Sequence, residues 1–354
     1  MRFFINIFFL FFAFASLAQP ENKYGIVEPV CSWDVMTLKK DYSPIKGDTC
    51  LFVVSTRNYD ASKKEFLDND YDTTKTLKYF AVYFNRNNWI AVPYSSLEEM
   101  LNNKSYFNNM ILFTEGLGKT FIRGIDRATR LTQEYHTDVI FFDWSTERPN
   151  IQASKNISLT VALSEKIAIP YASFLEDFQA YKEKNNHKFK TVTVLFHSMG
   201  NLILMHDLQM DLFKNIRQNL VDNVVLNAAC VPQKDHAIWL NKLHISKHIY
   251  VTVNDRDKNL NGAKLLFFAH QLGERPKGPF CKNVNYIDFS DVLDKQHNYF
   301  LMQPLLTQKP YLRDFYNNIF NGEVPQLKFV DTSISEEIRK YLPGRSENAI
   351  GSGL

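Results

Sequence analysis

The sequence predicts an α/β fold in which a mostly parallel central sheet of about eight strands is flanked by helices. Short runs rich in β-branched and aromatic residues recur along the chain. Several of those from Met110 onward are continuously apolar, as expected for strands covered on both faces, and segments with helical spacing lie between them. Because the sequence has no internal repeat and no low-complexity linker, we expect one such domain, over residues 50–325.

Turn-forming residues bound the runs that have strand composition. In chain order these runs are Cys50–Thr56, Tyr79–Phe84, Trp89–Tyr94, Met110–Glu115, Asp138–Trp144, Thr191–Phe196, Asn223–Ala229, His248–Asn254 and Val284–Phe289. The turn NRNN, at Asn85–Asn88, joins two of the early runs. This pattern predicts an antiparallel hairpin at the N-terminal edge of the sheet.

Two segments between the strands carry an apolar stripe at helical spacing, namely Phe121–Tyr135 and Tyr171–Lys184. The segment Ser145–Pro170 is long, polar at first and then partly apolar. A cap over a functional site and a loop without function are both open interpretations of it. The aromatic residues Trp144, Tyr171 and Phe174 fit an apolar pocket near such a cap, and core packing explains them equally well.

Residues 1–18 are predicted to be a secretory signal peptide. Arg2 precedes an apolar stretch that ends near Phe14, and Ser16 and Ala18 fit the small-x-small pattern of a cleavage site after Ala18. The stretch is short for a membrane span, which needs about 20 residues, although an uncleaved anchor stays open. We expect a secreted or periplasmic protein with no transmembrane span in the mature chain. A turn-rich extension follows at 19–49, and the tail at 326–354 is expected to end in disorder.

Composition excludes several partners and cofactors. The net charge is +3 over 354 residues, and the basic residues are dispersed, so nothing indicates nucleic-acid binding. The sequence has 4 cysteines, which permit two disulfides in an oxidising compartment. Cys31 with Cys50 is the local pairing, and buried thiols are the equal alternative. Without a CxxC or HExxH motif we predict no metal site and no cofactor; the oligomeric state is not predicted.

The stretch VTVLFHSMGNLIL, Val192 to Leu204, changes from a strand pattern to a segment that fits a helix. Ser198 at the break fits a nucleophile elbow, the sharp strand–turn–helix connection that presents a catalytic serine. A helix N-cap serine is the alternative. Gly200 satisfies the second glycine position of Gly-x-Ser-x-Gly, Phe196 occupies the first, and His197 is expected to have a packing or hydrogen-bonding role.

A nucleophilic serine needs a histidine base and a carboxylate that orients it, and in sheet hydrolases these follow the serine in the order acid, then histidine. Asp255 comes just after a strand that ends at Val253, with Asp257 as a substitute, and His297 follows the last strand. The alternatives are a turn role for the aspartates and a surface role for the histidine.

Backbone N–H groups must also hold the oxyanion, and we assign Met199 and Leu117 to this role. Leu117 lies in FTEGLGKT, where Gly116 lets the backbone approach a substrate. A phosphate-binding loop would need glycine at Phe113, so the sequence does not favour nucleotide binding.

Six motifs resemble, in the same order, those of a bacterial branch of the α/β-hydrolases catalogued as domain of unknown function 900. They are VVSTRNYD, LFTEGLGKTF, FFDWST, FHSMGN, VNDRDKNL and QHNYF. The resemblance spans about Cys50 to Phe300. It implies the α/β-hydrolase fold and a triad of Ser198, Asp255 and His297. Two departures are Glu115, where the family has histidine, and Phe196, where it has alanine.

We therefore expect an exported serine hydrolase that cleaves carboxylic esters of a small-molecule or lipid-like substrate. Glu115 and Phe196 motivate an alternative, a non-catalytic binding module that keeps the hydrolase fold. Acyl transfer and peptide cleavage use the same machinery, and the sequence does not separate them from ester hydrolysis.

Overall fold

The structure is a computed structural model. It describes residues 31–85, 88–148, 151–325, 330–331 and 338–341. The predicted signal peptide, its cleavage site, the NRNN turn tip and most of the C-terminal tail lie outside the described residues.

Strands of this part of the chain form one large sheet and one small hairpin. The strands are β1 (Met36–Leu38), β2 (Thr49–Ser55), β3 (Arg57–Tyr59), β4 (Leu67–Tyr71), β5 (Lys78–Asn85), β6 (Asn88–Tyr94), β7 (Phe107–Thr114), β8 (Asp138–Asp143), β9 (Phe189–His197), β10 (Val221–Asn227), β11 (Ser246–Val253), β12 (Val284–Asp288), β13 (Val330–Asp331) and β14 (Ile338–Tyr341). The large sheet has the order β1-β6-β5-β2-β8-β7-β9-β10-β11-β12-β14-β13, and β3 pairs only with β4.

Helices connect most of these strands. They are α1 (Leu97–Leu101), α2 (Phe121–Tyr135), α3 (Ala153–Lys184), α4 (Asn201–Gln209), α5 (His236–Leu240), α6 (Lys258–Phe267), α7 (Ser290–Leu293), α8 (Gln303–Gln308) and α9 (Pro310–Phe320). Short 3₁₀ turns cover Asn186–Lys188, Ser198–Gly200 and Leu212–Asn215. Within the described helices, none is long and apolar enough to cross a membrane.

The parallel part of the sheet is confirmed. Strands β8, β7, β9, β10, β11 and β12 run parallel to their neighbours, and their apolar residues are buried because helices cover both faces. The antiparallel edge is also confirmed, since β5 pairs antiparallel with both β2 and β6. Counted over the described residues, the sheet has 12 strands rather than about eight, because short pieces join at both edges.

Several of the additional strands could not be expected from composition. β1 comes from the extension at 19–49 and pairs parallel with β6. It is only 3 residues long, too short for a periodic pattern. β4 has the sequence LDNDY, and only Leu67 is buried. Its polar composition therefore does not predict a strand.

Helix α3 has 32 residues and contains both the predicted helix Tyr171–Lys184 and most of the candidate cap. The helix passes through Pro170, where the sequence analysis had placed an element boundary. Its second half packs Tyr171, Phe174 and Phe178 on the sheet. A capping role for residues 145–170, like the domain boundaries at 50 and 325, stays a prediction.

The four cysteines are free thiols, so the predicted Cys31–Cys50 disulfide is wrong and the buried-thiol alternative holds. Cys31, Cys230 and Cys281 are buried, and Cys50 is partly exposed. The fold therefore depends on its apolar core rather than on covalent cross-links.

Candidate active site

The connection that carries Ser198 has the geometry of a nucleophile elbow. Strand β9 ends at His197, a 3₁₀ turn covers Ser198–Gly200, and helix α4 begins at Asn201. Ser198 has a φ of 52°, a left-handed conformation that costs a non-glycine residue about 1–3 kcal/mol. An N-cap residue takes an extended backbone instead. The N-cap alternative for Ser198 therefore does not fit.

Gly200, in the elbow, and Gly116, in the loop after β7, must be glycines because the backbones of these two segments approach each other closely. A Cβ on Gly200 would lie 2.8 Å from the Thr114 carbonyl oxygen and 2.9 Å from that of Glu115. A Cβ on Gly116 would lie 2.7 Å from Ser198 Cβ and 2.9 Å from the Met199 nitrogen. The loop after β7 is thus pressed against the serine and against the amide predicted to hold the oxyanion.

Phe196 fits the first position of the elbow because its ring has a partner on helix α3. Phe196 is 1% exposed, and its ring centroid lies 5.2 Å from that of Tyr171. Tyr171, Phe174 and Trp144 are themselves core residues, with 0–2% exposure. They do not line an open pocket.

Asp257, not Asp255, is the carboxylate that contacts His297. Asp257 Oδ2 lies 2.6 Å from His297 Nδ1. The Asp257 side chain is fully buried, whereas that of Asp255 is 38% exposed and lies 3.4 Å from Arg275. The assignment of Asp255 is therefore corrected to the substitute that the sequence offered.

The turn after β11 explains why Asp257, rather than Asp255, contacts His297. Asp257 is the N-cap of helix α6, and its Oδ1 accepts hydrogen bonds from the N–H groups of Asn259 and Leu260. These bonds hold the carboxylate at the inner side of the turn with Oδ2 aimed at His297. Asn254 Nδ2 donates to the carbonyls of Asp294 and Gln296, which fastens the same turn to the loop that carries the histidine.

His297 is held in one orientation. A carboxylate only accepts hydrogen bonds, so His297 Nδ1 donates to Asp257 and Nε2 is the ring nitrogen that is left to act as a base. The His297 ring lies 4.8 Å from that of His197, the residue just before Ser198. Its side chain is 10% exposed. The imidazole therefore lies next to the elbow.

Glu115 and Arg127 form a buried ion pair beside the elbow. Glu115 Oε2 lies 2.7 Å from Arg127 Nε, and both side chains are 4% exposed. Glu115 Oε1 accepts the N–H of Gly116 at 2.8 Å. Burial alone would raise the pKa of Glu115, but the Arg127 guanidinium, with Lys119 and the Gly116 N–H, holds that pKa well below its ordinary value.

This arrangement bears on the predicted oxyanion donors. The Gly116 N–H is occupied by the Glu115 carboxylate, and the Glu115 carbonyl accepts from Trp144 Nε1 at 2.8 Å. The next amide in the loop is that of Leu117, and its role as an oxyanion donor beside Met199 stays a prediction. Further along, Arg57 and Thr146 hold Lys119 through its backbone carbonyl and N–H, respectively.

His197 is neutral. Its Nδ1 accepts from the Asn227 amide at 3.0 Å, so its Nε2 carries the proton and donates to Asn298 Oδ1 at 3.0 Å. Burial lowers the pKa of His197 to about 3, although Glu115 acts in the opposite direction. The hydrogen-bonding role expected for His197 corresponds to these contacts.

Sequence reasoning missed Arg127, Asn227 and Asn298. Glu115 is the signal that could have led to Arg127, because a carboxylate next to a site for negative charge requires a buried cation. Asn298 directly follows His297, but no motif distinguishes it from a surface asparagine. In the described residues no group of three or more His, Cys, Asp or Glu side chains is placed to hold a metal ion.

The match to a family model agrees with this architecture. The family model described as "Alpha/beta hydrolase of unknown function (DUF900)" matches residues 94–308. A search of curated proteins gave no match. Among solved structures, a hyperthermophilic esterase from the archaeon Pyrobaculum calidifontis aligns with a TM-score of 0.37 and 11% identity, over 78% of this chain and 86% of its own. Since the family model covers more than half of the chain, the protein belongs to the α/β-hydrolase family of unknown function that this model defines.

Proposed function

We propose that the protein is a serine hydrolase that cleaves carboxylic esters through Ser198, His297 and Asp257. The observation that carries this proposal is the 2.6 Å contact between His297 Nδ1 and the buried Asp257 carboxylate, on the same sheet edge as the strained Ser198. A carboxylate that fixes a histidine tautomer beside a turn that carries a partly exposed serine is the arrangement that nucleophilic catalysis by serine requires.

In the proposed mechanism, Ser198 Oγ attacks the acyl carbon while His297 Nε2 takes the hydroxyl proton. Asp257 stabilises the resulting imidazolium, and the N–H groups of Met199 and Leu117 hold the oxyanion. His297 then returns the proton to the leaving alcohol, which gives an acyl-enzyme. A water molecule, deprotonated by His297, attacks the acyl carbon. The bond from that carbon to Ser198 Oγ breaks, His297 returns the proton to Oγ, and the acid is released.

The two departures that favoured a non-catalytic module have local compensation. Arg127 balances the charge of Glu115, and Tyr171 accommodates the ring of Phe196. Neither residue removes a member of the proposed triad. These contacts support catalysis over a binding role for the same fold.

Hydrolysis of p-nitrophenyl acetate, butyrate and octanoate by the purified protein tests the proposal. We expect turnover of at least one ester and its loss in Ser198→Ala, because that variant lacks the nucleophile. Circular dichroism confirms that the variant is folded. Activity that persists unchanged in Ser198→Ala, or no hydrolysis of any ester, would contradict the proposal.

We further propose export, on the basis of residues 1–18. N-terminal sequencing of the protein secreted or released from the periplasm of a bacterial host should begin at Gln19. Retention of Met1 or Arg2 in the exported protein would contradict cleavage after Ala18.

A further inference from the structure

The side chain of Asn298 joins three parts of the site. Its Oδ1 accepts two hydrogen bonds, from Arg127 Nη2 at 3.1 Å and from His197 Nε2 at 3.0 Å. Arg127 belongs to helix α2, which follows the oxyanion loop, and His197 is the last residue of β9 before the elbow. One oxygen atom of the histidine loop therefore contacts both the strand that leads to Ser198 and helix α2, whose Arg127 binds Glu115 of the oxyanion loop.

Arg127 is held from two sides. Glu115 binds its Nε, and its guanidinium carbon lies 5.4 Å from the centre of the Phe300 ring. Because both charges are buried at 4% exposure, the guanidinium has one orientation, with Nη2 on Asn298.

The segment that contains His297 is fixed residue by residue. Asp257 holds the His297 ring, the Tyr299 hydroxyl lies 2.5 Å from Thr252 Oγ1, and the Tyr135 hydroxyl donates to the Phe300 carbonyl at 2.6 Å. Asn298 completes this series. Asp257 binds only Nδ1, so the position of Nε2 also depends on the backbone of this segment, which the Asn298 side chain restrains.

We propose that Asn298 and Arg127 are positioning residues that hold His297 toward Ser198, with Glu115 as the buried counter-ion of Arg127. This inference rests on the proposed function. A displacement of about 1 Å between reacting groups is enough to reduce a rate about 10²-fold, and loss of the Asn298 acceptor releases the loop from both donors.

The test compares Asn298→Leu, which has a similar size but no acceptor, with Asn298→Asp, which keeps an oxygen for both donors. The readout is the second-order rate constant for labelling of Ser198 by a fluorophosphonate probe, measured on the full protein at several pH values. We expect about a 10²-fold loss in Asn298→Leu and recovery to within about tenfold of wild type in Asn298→Asp. The added carboxylate should move the acidic limb of the labelling profile to higher pH, because it favours the imidazolium.

Asn185→Leu is the matched control. Asn185 is half-buried, like Asn298, and its side chain forms a hydrogen bond with the Tyr181 carbonyl. It lies at the end of α3, before β9. It should label at the wild-type rate. If Asn298→Leu fails to fold, the double variant Glu115→Gln/Arg127→Met replaces it, because it removes both buried charges together and takes one donor from Asn298. We expect that variant to fold and to label more slowly than wild type.

The outcomes separate the two proposals. Two results would overturn the positioning role alone. In one, Ser198 is labelled at the same rate in Asn298→Leu as in the wild-type protein. In the other, Asn298→Leu and Asn298→Asp lose labelling rate equally. No adduct on Ser198 in the wild-type protein would overturn the proposed function and this inference with it.

Discussion

Asp255 and Asp257 lie two residues apart in the turn after β11, yet only Asp257 faces His297. Asp257→Asn should lower kcat about 10⁴-fold at neutral pH, because an amide neither fixes the productive tautomer nor stabilises the imidazolium. Asp255→Asn should stay within about twofold of wild type, because its carboxylate is a solvent-exposed partner of Arg275. Ester hydrolysis by the two variants checks this prediction, and the reverse order of effects would contradict it.

Asp207 on helix α4 is a second buried acid with a different role. It is 0% exposed, and neither of its oxygens has a hydrogen-bond partner in the described part of the chain. Burial raises its pKa well above the ordinary value, so the folded state holds a proton that the unfolded state releases above about pH 4. Stability from this group is therefore present at low pH and is lost as the pH rises toward the folded-state pKa.

Asp207→Asn removes this titration while keeping nearly the same shape. The free energy of unfolding should fall between pH 5 and pH 8 in the wild type, and it should fall less steeply in the variant. Urea unfolding at both pH values measures the difference. Parallel pH profiles for the two proteins would show that Asp207 is not a buried neutral acid.

At the scale of elements, the oxyanion loop and the elbow are in contact only because residue 116 has no side chain. In Gly116→Ala the new Cβ would meet Ser198 Cβ at 2.7 Å and the Met199 nitrogen at 2.9 Å. One of the two elements must move, and we expect kcat to fall about 10²–10³-fold, the cost of one lost oxyanion donor.

Gly118→Ala is the control for this prediction because it lies in the same loop. A Cβ there meets nothing within 4 Å, although its φ of +83° adds backbone strain, of about 1–2 kcal/mol. It should lower thermal stability more than it lowers kcat. Equal losses of kcat in the two variants would mean that general loop strain, rather than contact with the elbow, decides the rate.

The element scale also shows what the sequence could predict. Each of the nine runs predicted as strands contains a strand. For the continuously apolar runs from Met110 onward, burial on both faces leaves a strong signal at each position. Short or polar strands such as β1 and β4 form because they pair with neighbouring strands, and amino-acid composition does not predict that pairing. Helix α3 continues through Pro170 because packing of its C-terminal half on the sheet outweighs the local signal for a break.

The site was predictable where a motif ties residue type to position. Ser198 and His297 fall in such motifs, and the ring of His297 lies beside that of His197, the residue before Ser198. Asp255 is the nearer of the two aspartates to the end of β11, so distance from the strand favours it, whereas the capping bonds of Asp257 to Asn259 and Leu260 bring the Asp257 carboxylate to His297. Partners such as Asn298 and Arg127 depend on tertiary contacts, which no spacing in the sequence encodes.

At the scale of the whole molecule, the fold is held without covalent cross-links. Three of the four cysteines are buried and none is bonded to another, so four thiols should react with Ellman's reagent after denaturation without reductant. Fewer should react in the native protein, because buried thiols are inaccessible. Two or zero reactive thiols in the denatured protein would show disulfides instead.

The whole account depends on the convergence of Ser198, His297 and Asp257 at one edge of the sheet. Peptide mass spectrometry of the folded protein after reaction with a fluorophosphonate tests this most directly. We predict a single adduct on the peptide that contains Ser198, formed at a rate reduced by Asp257→Asn and unchanged by Asp255→Asn. No adduct on Ser198, or an adduct on another serine that forms equally in Ser198→Ala, would contradict it.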